Sequence, residues 1–129
     1  MKAFISSIFF LFAVSLSSFA QKGAIDQVIG ALKSGNTTEL SKYFDESVEL
    51  TLPVKSDNYS KAQAQLVLKD FFTNNTVKGF ELKHKGDSPG GQYCIGTLET
   101  SSGSFRAHVF MKTKGNKDVV KELRFQSIE

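Results

Sequence analysis

The sequence predicts an α+β domain: three N-terminal helices packed on one face of a curved, mainly antiparallel sheet, in the order α-α-β-α-β-β-β-β. Three observations predict it. Apolar residues recur at helical spacing in three segments before residue 75, then at a period of two to the end of the chain. The connections between the later runs are short and rich in Gly, Ser and Asn, which forces neighbouring strands to be antiparallel. A sheet with one apolar face needs a cover, and only the helices can supply it.

The chain opens with a positive start, Met1-Lys2, an apolar run from Ile8 to Val14, and Ser18-Phe19-Ala20 before Gln21. This is the layout of a secretory signal peptide over residues 1–20, too short and too serine-broken to span a bilayer. The expectation is an exported protein, periplasmic or secreted, with a single domain over 21–129. A lipid anchor needs a cysteine directly after the cleavage site, and that position is Gln21, so no membrane anchor is expected. Loss of Lys2 with the leader leaves 15 basic against 13 acidic residues, a net charge of +2. No block of like charge exists, and nucleic acid is rejected as a partner. A lone Cys94 allows no internal disulfide.

Ile25, Val28, Ile29 and Leu32 form the stripe of the first helix, which Gly35 stops. Asn36 caps a second, short helix, with Glu39 expected to complete a capping box and Leu40, Tyr43 and Phe44 as its apolar side. Asp45-Glu46 reads as a turn. Val48, Leu50 and Leu52 alternate with polar residues in a strand that Pro53 ends. Ser60 and Gln63 cap a third helix with Ala64, Val67, Leu68 and Phe71 inward. Strands follow at 77–86, 92–101, 104–113 and 118–128. In the third of these, Phe105, Ala107, Val109 and Met111 face the helices. Arg106, His108, Phe110 and Lys112 face away.

Several strings carry a resemblance: Tyr59-Ser60-Lys61-Ala62-Gln63-Ala64 leading into Lys69-Asp70-Phe71-Phe72, then Phe80-Glu81-Leu82-Lys83-His84-Lys85-Gly86, Tyr93-Cys94-Ile95-Gly96-Thr97-Leu98 and Ser104-Phe105-Arg106. They are similar to the exported bacterial family called domain of unknown function 4783, within the nuclear transport factor 2-like superfamily. The resemblance covers residues 22–129. It implies a cone in which a curved sheet wraps a helix and often encloses a pocket, and it brings no activity, substrate or catalytic residue.

Candidate sites follow from alternation. Phe80, Leu82, His84, Val109 and Leu123 are the expected lining of a pocket for a small apolar or amphipathic ligand, with Tyr93 or Cys94 opposite His84. On the outer sheet face Arg106, His108, Phe110, Arg124 and Gln126 combine a polar surface with an aromatic; they read either as a solvated face whose charges pair across strands or as the subunit contact that the resemblance implies. The two histidines are expected on opposite faces, which argues against a shared metal site, and no cofactor is expected. No acid/base constellation is recognisable. The reading is a non-catalytic exported binding or scaffold domain, with a pocket isomerase or hydratase as the alternative. A cone filled by the seven phenylalanines after residue 20 is the third possibility.

Overall fold

The computed structural model describes residues 23–128, and the expected signal peptide lies outside them. Helix α1 (Ala24–Ser34) buries Ile25, Val28, Ile29 and Leu32 and ends at Gly35, whose left-handed backbone (φ 66) returns its N–H to the Ala31 and Leu32 carbonyls. A short α2 (Thr37–Ser41) is capped by the Asn36 side chain, which accepts from the Glu39 N–H at 3.0 Å. The expected box stays half made there: the Glu39 carboxylate pairs with Lys42 at 2.9 Å instead. Helix α3 (Lys61–Asn74) carries the full box between Ser60 and Gln63 and buries Ala64, Leu68, Phe71 and Phe72.

Strand β1 (Phe44–Leu52) starts earlier than expected. Asp45-Glu46 belongs to it and not to a turn. Asp45 is buried there because two cations reach it, Lys114 Nζ at 3.0 Å and Lys121 Nζ at 3.5 Å. Strand β2 (Lys55–Ser60) has no counterpart in the sequence reading. Almost all of it is exposed and polar, so it shows no apolar alternation. Backbone pairing to β1 alone defines it, from Leu52↔Lys55 to Ser47↔Ser60. Strands β3 (Val77–Ser88), β4 (Gly91–Thr100), β5 (Gly103–Lys114) and β6 (Lys117–Ser127) form the meander.

The six strands lie in the order β2-β1-β6-β5-β4-β3, with β1 and β6 parallel and every other pair antiparallel. Helix α1 lies against β3 and β4, and α3 against β1 and β2. Between helices and sheet, Phe71 meets Phe105 edge-on and Phe125 tilted, both at 5.3 Å, and Phe72 completes the cluster. Phe105, Ala107, Val109 and Met111 are all buried, as their alternation predicts.

One irregularity decides where the polar residues go. Leu82 pairs with Gly96 but His84 pairs with Ile95, so a bulge leaves Lys83 without a partner on β4. Each residue beyond the bulge therefore changes face. His84 leaves the side shared by Phe80 and Leu82 and lies on the outer face. Lys85 turns inward and reaches Asp26 of α1 at 2.8 Å.

Candidate functional site

The outer face, opposite the helices, is assembled in cross-strand rows. One row runs His84, Ile95, His108, Arg124 and Thr51 across β3, β4, β5, β6 and β1. The next runs Gly86, Tyr93, Phe110, Glu122 and Glu49. Tyr93, Ile95 and Phe110 thus form a contiguous apolar centre, each half-buried by its neighbours. Gly86 makes room for the tyrosine: a Cβ there would stand 3.0 Å from the Tyr93 hydroxyl. That hydroxyl shares a 2.7 Å hydrogen bond with His84 Nε2. Beside the patch, Arg124 donates to the Glu122 carboxylate at 3.2 Å.

Arg106, His108, Phe110, Arg124 and Gln126 therefore share this face, with Arg106 paired to Gln126 and His108 to Arg124. His84 joins them, so the two histidines lie on one face and not on opposite faces. Ile95 stands between them, which separates their strands by about 10 Å. Among the described residues, no group of three or more His, Cys, Asp or Glu could hold a metal ion.

The residues expected to line a pocket do not converge on one. Phe80, Val109 and Leu123 are packed in the core, Leu82 is 39% exposed at its margin, and His84 is on the far side. A groove with an apolar floor and a volume of about 520 Å³ lies elsewhere, between the β1–β2 turn and the C-terminal half of α3. Phe71, Phe105, Leu52 and Val67 form its floor, and Lys55, Asp70 and Asn74 stand on its rim. Sequence reasoning missed it because β2, one of its walls, gave no signal. The apolar tip Pro53-Val54 between two polar stretches was the available clue.

The family model Domain of unknown function (DUF4783) matches residues 25–126. The chain belongs to this family. Among solved structures, the DUF4783 protein is similar to a family member from Bacteroides ovatus, at 36% identity and TM-score 0.78, covering 84% of this chain and 96% of that one. A member from Bacteroides uniformis gives 34% and 0.79, over 83% and 99%. An NTF2-like protein of unknown function from Cytophaga hutchinsonii shares the fold at 11% identity and TM-score 0.57, covering 78% of this chain and 83% of that one. No curated protein matches.

Cys94 is fully buried, and that burial pushes its thiol up to about 11, the reverse of what a nucleophile needs. The groove's ionisable groups, Asp70 and Lys55, are both exposed. An acid or base tuned by desolvation would have to be inside.

Proposed function

We propose that this domain is an exported, non-catalytic association module that pairs with a second copy of itself through the outer sheet face. The observation that carries the reading is the Tyr93–Ile95–Phe110 centre. It is contiguous, half-buried within the sheet, and covered by no described helix. An isologous contact lays a patch against itself, so the centre must be apolar and its surroundings must carry both signs of charge. Arg106, Lys112 and Arg124 supply one sign around it, and Glu49, Glu81 and Glu99 the other. Export rests on the leader-like residues 1–20 and predicts an intact mass for the exported protein that begins at Gln21.

Sedimentation velocity on the exported protein tests the pairing. Phe110→Glu puts a charge at the centre of the face without touching the core. The expected result is a dimer for the parent and a folded monomer for the variant, less stable to heat because the new carboxylate stands opposite Glu122 and the partner is lost. A parent that sediments as a monomer at 100 µM, or a variant that still dimerises, would exclude the outer face. (The concentration, about 100 µM, corresponds to roughly −5.5 kcal/mol of association.)

A further inference from the structure

The groove at the α3 end is independent of the outer face and has a construction of its own. Val67, Asp70, Phe71 and Asn74 line it at i, i+3, i+4 and i+7, so one stripe of α3 forms a wall. Lys55 faces that wall from β2: its Cα partner Leu52 is buried on the helix side, and opposed residues share a side. The walls therefore carry opposite charges, and neither Lys55 nor Asp70 forms an ion pair with another described residue. The nearest alternative anion on β2, Asp57, keeps a carboxylate oxygen on the Asn58 N–H at 2.8 Å. At the mouth, Val54 is 91% exposed, an apolar side chain at a turn tip with nothing over it.

We propose that this groove binds a short apolar peptide by both of its charged ends. The peptide's ammonium meets Asp70 and its carboxylate meets Lys55. Its apolar side chains rest on the Phe71–Phe105 floor with Val54 closing over them. A volume of about 520 Å³ suits a ligand of dipeptide size and not a folded partner. A fatty acid would pair with Lys55 alone and an alkylamine with Asp70 alone, so each makes only half of these charge contacts.

The test is a titration followed by amide and side-chain NMR shifts. It uses the full chain in the form a bacterial host accumulates, with L-leucyl-L-phenylalanine as probe. Saturable shifts are expected at Val54, Val67 and Asn74. Acetylating the probe's amine or amidating its carboxylate should each weaken binding about fivefold, the size of an exposed charge contact. Asp70→Asn should remove the sensitivity to acetylation alone, and Lys55→Gln the sensitivity to amidation alone. Both residues are exposed, so the variants fold. No saturable shift at millimolar probe would overturn the proposal. So would equal binding of the doubly capped peptide, or shifts confined to the outer face.

Discussion

Replacing Gly96 by alanine asks the core to accept a methyl group where two fixed atoms already stand. A Cβ at this position would lie 2.4 Å from the Glu81 carbonyl oxygen and 2.4 Å from Phe80 Cζ. Carbon–carbon contacts are normally about 3.5–4.0 Å, so the ring must retreat by more than 1 Å. Phe80 is itself 7% exposed and packed, and the carbonyl belongs to the strand paired with β4. Overpacking of this kind costs about 1–3 kcal/mol, and two obstacles place it near the upper end. Removing a glycine from the unfolded chain returns about 0.4–1 kcal/mol. The net expectation is a loss of about 2 kcal/mol. Urea unfolding should show a lower midpoint at unchanged slope, and the melting temperature should fall by about 8–16 °C. Phe80→Leu made in the Gly96→Ala background should cost less than in the parent, because the smaller side chain vacates the clash. A Gly96→Ala protein as stable as the parent would refute the packing of Phe80 over β4.

Other expectations follow from single contacts. Asp45 is held below its ordinary 3.8, first by the Lys114 hydrogen bond, with desolvation opposing. A depressed carboxylate stabilises the fold above its unfolded value and loses that contribution as pH falls through the native one. Asp45→Asn should therefore cost about 1 kcal/mol at pH 7, limited by two half-exposed lysines, and progressively less as pH falls below 3.8 and through the native value in paired denaturation curves. Cys94, raised to about 11 by burial, should resist iodoacetamide at pH 8 in the native protein and react in urea. Equal rates in both would contradict its burial. Because that thiol is raised from 9.0, its share of stability holds below pH 9 and is lost as pH rises towards 11. Ser60→Ala removes the hydroxyl half of the α3 capping box, the Gln63 N–H to Ser60 Oγ bond, while the backbone N–H of residue 60 still donates to Gln63; the loss should cost about 1 kcal/mol in thermal unfolding, with Ser60→Thr close to neutral.

The helices, the four-strand meander and the inward stripe of β5 were legible because periodicity reports burial, and these segments are buried on one side only. What escaped has physical reasons. Strand β2 is an edge strand held by backbone bonds, and its polar side chains carry no period. Asp45 looks like a turn residue until Lys114 and Lys121, distant in sequence, arrive to neutralise it. The bulge at Lys83 costs a single residue of register, and alternation read straight through it sends His84 to the wrong side. That one shift turned a candidate pocket residue into part of the outer face and brought both histidines to one surface. The groove depended on the missed strand, so it was missed as well.

The most direct test of association through the outer face is an isotope-filtered NOE experiment on a mixture of labelled and unlabelled protein. Contacts between protomers are expected from the Tyr93 and Phe110 rings to the Ile95 methyls. Contacts between protomers that arise from another surface, or none in a sample that sediments as a dimer, would contradict it.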